Sequence, residues 1–253
     1  MNNISKNIIN FRENKQKIDI PKIKKNGLSI SDGYEIQNEI YDHYSKSEEF
    51  TGWKIGCTTK VMQKYLKIPS PCLGRVMKKN ILKGDSKVDF MNFIRPGVEC
   101  EIGVILSKEF DINTKKPLEK IIEKIVPSIE IVDDRWPDYK KEKTAILIAD
   151  DFFASSIVYG EGININDIKD LSNIRGFMSC NNSKLGEGKG SDILQDPLNA
   201  LRWFLEFNFK DNNVPKAGDL ISLGSIVQTY WVNQNDTIKI DLEKIGKVEV
   251  QFK

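Results

Sequence analysis

The chain holds one histidine, His43, among 253 residues. A Ser-His-Asp triad would have to use it, and nothing in its tyrosine-rich helical stretch supports one, so a surface or capping role is expected. Cysteines number four, Cys57, Cys72, Cys100 and Cys180, with no CxxC pair. That spacing fits neither a zinc site nor a dense disulfide framework. Free thiols in a reducing compartment are the simple expectation. No run of about 18 apolar residues occurs, so no membrane span is expected. The first residues lack the apolar stretch of a signal peptide. A cytoplasmic location follows as the expectation. There is no G-x-G-x-x-G or Walker pattern, which removes the usual nucleotide signatures. Gly186-Glu187-Gly188-Lys189-Gly190 lacks that spacing and reads as a mobile loop. One-sided charge is missing too: 38 basic and 36 acidic residues leave +2. Nucleic-acid binding usually needs a basic excess, so it is disfavoured.

What is present is ordinary for a globular chain, with 40% hydrophobic and 29% charged residues. Residues 1–50 read as a helical segment packed on a larger body. Ile4, Ile8, Ile9 and Phe11 form one stripe, and Pro21 interrupts it. Ser31 with Asp32 is a plausible cap for a second helix, whose apolar side is Tyr34, Ile36, Ile40, Tyr41 and Tyr44. Residues 51–253 read as one β-rich catalytic unit. Short β-type runs alternate with turns, at 52–57, 88–90, 98–106, 128–132, 155–159, 175–180, 219–222, 237–240 and 246–252. Helices are expected at 117–125 and 197–207, the second opened by Pro197. Asp133-Asp134 and Asp150-Asp151 read as turn residues.

The strongest chemical signal is Val98-Glu99-Cys100-Glu101-Ile102-Gly103-Val104. Side chains alternate along a strand, so Glu99 and Glu101 point the same way. Two neighbouring carboxylates in an apolar strand call for a shared proton or a cation. Hard divalent ions take such oxygen ligands. Glu130, between Ile129 and Ile131, is a third carboxylate of this kind. The plain alternative is a half-exposed strand whose polar face carries these residues. Lys54 lies between Gly52 and Gly56, in a strand that ends at Thr58 and Thr59. It is placed either to meet a substrate carboxylate and move a proton or to lie along Trp53 at the surface. Gly218-Asp219 reads as an ordinary turn.

Ordered blocks of the sequence resemble the 2-keto-4-pentenoate hydratases of the fumarylacetoacetate hydrolase superfamily. They are LSISDGYEIQNEI, GWKIGCTTKVMQKYL, PSPCLGRVM, RPGVECEIGVIL, PSIEIVDDR, ILIADDFFASSIVYG, DPLNALRWFLE, AGDLISLGS and GKVEVQF, spread over residues 28–252. The resemblance implies an α+β fold with a mixed β-barrel-like core and an N-terminal helical layer. It implies Mg2+ or Mn2+ held by Glu99, Glu101 and Glu130, and a lysine at Lys54 that binds substrate or moves protons. Thr59 and Ser225 fall near substrate-facing positions. The implied activity is a hydro-lyase of aromatic-compound catabolism, adding water to a 2-hydroxy-2,4-dienoate, in a homo-oligomer. Alternatives from the same resemblance are a 2-oxo-3-hexenedioate (4-oxalocrotonate) decarboxylase, an acylpyruvate hydrolase and a non-catalytic relative. The decarboxylase would need a further cation, for which Arg75 and Arg135 are candidates. The hydrolase would need a His–Glu pair, here His43 with Glu48 or Glu49. The chain departs from the hydratase pattern in three places. Pro69-Ser70 stands where many hydratases carry an acid, ADDFFASS is bulky at Phe152 and Phe153, and SLGSIVQTYW brings Tyr230 and Trp231.

Overall fold

A computed structural model describes residues 1–21, 25–113, 115–209 and 213–253. Six α-helices are named here: α1 (Asn3–Glu13), α2 (Ile30–Tyr44), α3 (Lys60–Leu66), α4 (Leu118–Ile121), α5 (Thr144–Ala149) and α6 (Pro197–Leu205). The strands are β1 (Phe50–Gly56), β2 (Cys72–Met77), β3 (Ile81–Lys83), β4 (Ser86–Val88), β5 (Pro96–Leu106), β6 (Ile122–Asp133) and β7 (Ala154–Tyr159). They continue as β8 (Arg175–Cys180), β9 (Ser183–Lys189), β10 (Leu220–Ser225), β11 (Tyr230–Trp231), β12 (Thr237–Leu242) and β13 (Gly246–Phe252).

The strands form two mixed sheets. One runs β2-β1-β10-β5-β6-β7-β3, with β11 added on β5; the other runs β4-β13-β12-β8-β9. Strand β5 alternates strictly. Val98, Cys100, Ile102, Val104 and Leu106 enter the main core. There they meet Met178, Ile238, Ile240, Val248, Val250 and Phe252 from the second sheet. The opposite face of β5 carries Gly97, Glu99, Glu101 and Gly103, as the period of two requires. Over the outer part of that face lies a second apolar cluster. It joins Ile4, Ile8, Ile36 and Ile40 of the first two helices to α5, Val132, Phe152 and Phe153. The architecture is thus α+β, but among the described residues no pairing joins β3 to β2, so the expected barrel-like core is not a closed barrel.

Local signals place most elements. Ser29, rather than Ser31, caps α2 and forms a capping box with Asp32. Asp196 caps α6, and Pro197 occupies its first turn. The helix expected over 117–125 is a single turn, Leu118–Ile121, and Ile122 already begins β6. The β-branched residues Ile122, Ile125 and Val126 pair with β5, and that pairing overrides the local helical pattern. Pro127 sits within β6 just before its pairing with β7 starts at Ser128, so its missing N–H leaves no gap in that ladder. The strand expected at 88–90 ends at Val88. The glycine-rich 186–190 segment belongs mostly to β9, paired with β8, and is no loop.

Asp150-Asp151 is not a solvent-facing turn. Asp150 is fully buried and binds Arg135 Nε at 3.0 Å, while Arg12 reaches both carboxylates, with Nε 2.7 Å from Asp150. These contacts hold Asp151, Phe152 and Phe153 with φ of 52°, 48° and 69°. Three successive non-glycine residues in the left-handed region cost of order 1–3 kcal/mol each and persist only when surroundings impose them.

Helix α2 packs on α5 through Gly33. A Cβ there would lie 2.3 Å from the Ala145 carbonyl oxygen, a backbone atom that cannot swing aside. Gly33→Ala gains at most about 1 kcal/mol of helix propensity. Overpacking costs about 1–3 kcal/mol. The clash wins, and the variant is expected to unfold a few degrees below the parent in a calorimetric scan. An unchanged or raised midpoint would contradict this packing.

Candidate metal centre and active site

Adjacent strands bring the three glutamates together. Glu99 pairs directly with Glu130 across β5 and β6, and Glu101 pairs with Ser128. Directly opposed side chains in an antiparallel ladder are neighbours, and like charges there repel. One carboxylate oxygen from each of Glu99, Glu101 and Glu130 lies within 4.8 Å of the others. Glu101 and Glu130 are completely buried, and Glu99 is partly exposed. The half-exposed polar strand that the sequence left open therefore does not occur.

Lys54 comes from β1, which pairs with β10 at Lys54–Ser222 and with β2 at Lys54–Gly74. It is 2% exposed, not a surface lysine along Trp53. Its Nζ lies 3.2 Å from Glu130 Oε1 and 5.1 Å from the centre of the Phe152 ring. Gly74 leaves the room: a Cβ there would lie 3.1 Å from Lys54 Cε and 2.3 Å from the Asp151 carbonyl oxygen.

The remaining contacts come from β10 and the segment after it. The Gly224 N–H donates to Glu101 Oε2 at 3.1 Å. The Thr229 hydroxyl donates to Glu99 Oε1. Ser222 stands close enough to Glu101 to favour its charged form. Ser225 pairs with Glu101 in the ladder, but its hydroxyl donates to the Val227 carbonyl at 2.6 Å. The Thr59 hydroxyl accepts the Met62 N–H and caps α3. The buried Thr58 packs against Gly224 instead. Sequence reasoning gave the Thr229 and Ser222 side chains no role at the carboxylates, because only the ladder register places them there. Phe152 was visible as a bulky departure, without a location.

Electrostatics shows what is missing. Burial, then the charges of Glu130 and Glu99, lifts Glu101 well above the usual carboxylate range. Burial pushes Glu130 up to about 7, against the pull of the Lys54 ammonium. Burial opposes the Lys54 charge more than any other single cause, yet Glu130, Glu99 and Glu101 together raise its pKa. Three carboxylates and one ammonium sum to −2 when all are charged. Glu101 Oε1 and both Glu130 oxygens lack a well-formed hydrogen bond. Such atoms are costly to bury unpaired. A divalent cation fits this donor set in charge, in hardness and in the number of waiting oxygens.

His43 stands apart. It lies on α2 and contacts Glu13 at 3.2 Å, not Glu48 or Glu49. Arg75 is buried against Gln37, Asn38 and Asn213, and Arg135 is consumed by Asp150. Both line a separate cleft of about 210 Å³ between the first helix and β2. Asp219 accepts the Trp53 indole N–H at 2.8 Å and the Lys216 N–H, so it closes a turn and anchors β1.

The raised carboxylates fix the sign of a pH effect. A group whose folded pKa exceeds its unfolded value stabilises at low pH and loses that contribution as pH rises through the folded value. Chelator-treated protein is therefore expected to lose thermal stability from about pH 5 to about pH 8. Mg2+ at a hundredfold excess over its Kd should restore about 2.7 kcal/mol. Because protons compete with the ion, the gain should be larger at the higher pH. Glu101→Gln should remove the Mg2+ response. A melting midpoint indifferent to Mg2+ at both pH values would rule out the centre.

Comparisons with known proteins show the family and the fold. The family model for the fumarylacetoacetate (FAA) hydrolase C-terminal region matches residues 81–253. A 2-keto-4-pentenoate hydratase of Paraburkholderia xenovorans is 28% identical over 231 residues, covering 89% of this chain and 84% of the relative. A 4-oxalocrotonate decarboxylase of a Pseudomonas species is 24% identical over 87% of this chain and 86% of its own length. Among solved structures, the 4-oxalocrotonate decarboxylase from Pseudomonas putida G7, complexed with magnesium and adipate, superposes with a TM-score of 0.89. It covers 99% of this chain and 96% of that one at 21% identity, a likeness of fold. With the matched region spanning β3 to the C-terminus and holding all three clustered glutamates, the chain belongs to the fumarylacetoacetate hydrolase family.

Proposed function

We propose that this protein is a divalent-metal-dependent hydro-lyase that adds water to a 2-hydroxy-2,4-dienoate, giving a 4-hydroxy-2-oxo acid. The observation that carries the reading is the buried, uncompensated set Glu99, Glu101 and Glu130 beside Lys54. The similarity to several 2-keto-4-pentenoate hydratases supports this reaction over others of the same fold. Mg2+ or Mn2+, held by the three glutamates, would supply Lewis-acid stabilisation of negative charge on the 2-oxygen of the substrate.

The chain's own groups then divide the work. Among the described residues, Lys54 Nζ is the one buried cation at the carboxylates, kept charged by its neighbours. It anchors the substrate carboxylate or carries the proton that the dienol needs at its terminal carbon. The balance is a proton at the terminal carbon, a hydroxyl at its neighbour, and transfer of the enol proton to the third carbon as the 2-oxo group forms. Thr229 and the Gly224 N–H hold Glu99 and Glu101 in place. Ser225 and Thr59 are the family-derived substrate positions; both lie on segments flanking the site, at the end of β10 and the start of α3. A homo-oligomer acting in aromatic-compound catabolism completes the proposal.

The test is an assay on 2-hydroxypenta-2,4-dienoate that follows loss of dienol absorbance and identifies the product. Formation of 4-hydroxy-2-oxopentanoate, abolished by EDTA and recovered with Mg2+, is the expected result. Glu101→Gln should leave no measurable turnover in a folded protein. Lys54→Met should lower kcat by roughly 10²–10⁴, the range for loss of a positioned proton-transfer group. Full activity of Glu101→Gln would end the metal-centre reading. Release of CO2 from 2-oxo-3-hexenedioate, with no hydration, would move the assignment to the decarboxylase.

A further inference from the structure

The site opens at one end. Lys54, Glu101 and Glu130 are buried, whereas Glu99 is partly exposed. Beyond Glu99 on the same face of β5 comes Gly97, and the Trp231 ring occupies the space a side chain there would fill. A Cβ on Gly97 would lie 2.9 Å from Trp231 Cε3. Val132, paired with Gly97 across β6, adds an apolar neighbour. From the buried ammonium outward runs a chain of rings. Phe152 lies under Lys54, Phe153 is 5.3 Å from Phe152, Tyr139 is 5.4 Å from Phe153, and Trp231 is 6.3 Å from Tyr139. The rings therefore run unbroken from the buried ammonium to the partly exposed Tyr139 and Trp231.

Two buried arginines that could meet a second carboxylate are engaged elsewhere. Arg75 and Arg135 sit in the separate cleft, committed to buried amides and to Asp150. Arg95 does reach the entrance. Its guanidinium stacks on Trp231 at 4.2 Å and gives one N–H to the buried Asp134 at 2.9 Å.

We propose that the ring wall of Phe152, Phe153, Tyr139 and Trp231 makes this site select 2-oxo acids with an uncharged, apolar tail and turn away those ending in a second carboxylate. The inference rests on the reading above that the 2-oxo acid head binds at the glutamate cluster. An apolar tail gains by leaving water against the rings. A carboxylate tail would lose hydration against the rings, and the Arg95 charge it could reach is already partly offset by Asp134.

The experiment is calorimetric titration of the Mg2+-loaded protein with three ligands: pyruvate as the head alone, 2-oxohexanoate, and 2-oxoadipate. The last two share a chain length and differ in the terminal group. The expected result is 2-oxohexanoate binding at least about tenfold more tightly than 2-oxoadipate. Trp231→Ala should weaken 2-oxohexanoate by about tenfold and leave pyruvate unchanged. Tyr139→Ala, on the partly exposed side of the wall, should move in the same direction and serves if Trp231→Ala does not fold. Equal binding of the two longer acids overturns the proposal and leaves the 2-oxo acid reading standing. Tighter binding of 2-oxoadipate, lost in Arg95→Ala, overturns it in favour of a dicarboxylate. If none of the three binds while Mg2+ still raises the melting midpoint, the 2-oxo acid reading falls and takes this one with it.

Discussion

The repulsion among Glu99, Glu101 and Glu130, set against a single ammonium, is the constraint around which the rest of the structure is arranged. Two of the carboxylates are fully buried, and three of their oxygens lack a well-formed hydrogen bond. Left alone, such a cluster would push strands β5 and β6 apart or force protons onto the side chains. The sheet resists the first outcome because β5 is bonded on both sides, by β10 and β6, and its other face is locked into the main core. The fold therefore supplies the strength and the cluster supplies a standing demand for positive charge.

The same arrangement explains how much was legible in the sequence. Glu99 and Glu101 could be read as one face because alternation in a strand is a local rule. Glu130 stood out because isoleucines flank it on both sides. Lys54 between two glycines announced a close approach. What could not be read was register. Nothing in the string says that Glu99 faces Glu130, or that Thr229 arrives at Glu99 from 130 residues away. The same limit explains the misread stretch at 117–125, where one helical turn gives way to a strand because β5 offers pairing. Asp150 and Asp151 looked like turn residues because local propensity cannot reveal that Arg12 and Arg135 bury them.

The proposed catalytic groups and the proposed entrance groups sit on different kinds of backbone. The glutamates and the lysine stand on central strands held by ladders on both sides. Phe152 and Phe153 stand on a left-handed segment imposed by buried ion pairs. Trp231 lies on a two-residue strand, and Tyr139 on a short turn. Ladder positions tolerate little change, whereas irregular segments can be rebuilt at small cost. The departures of this chain from the hydratase pattern, at Phe152, Phe153, Tyr230 and Trp231, fall on the irregular segments or on that short strand, and the glutamates are retained.

Arg12 connects this division to the order in which the chain is made. Its partner Asp150 lies 138 residues downstream. The first helix therefore leaves the ribosome long before the group that fixes its position exists. It must remain undocked while the six strands that precede Asp150, β1 to β6, emerge. The left-handed segment beside Lys54 cannot take its final shape until that earliest piece returns to brace it. Completion of the catalytic cleft is thus a late, long-range event, and a nascent chain stalled before residue 150 would carry its glutamates without the wall that encloses them.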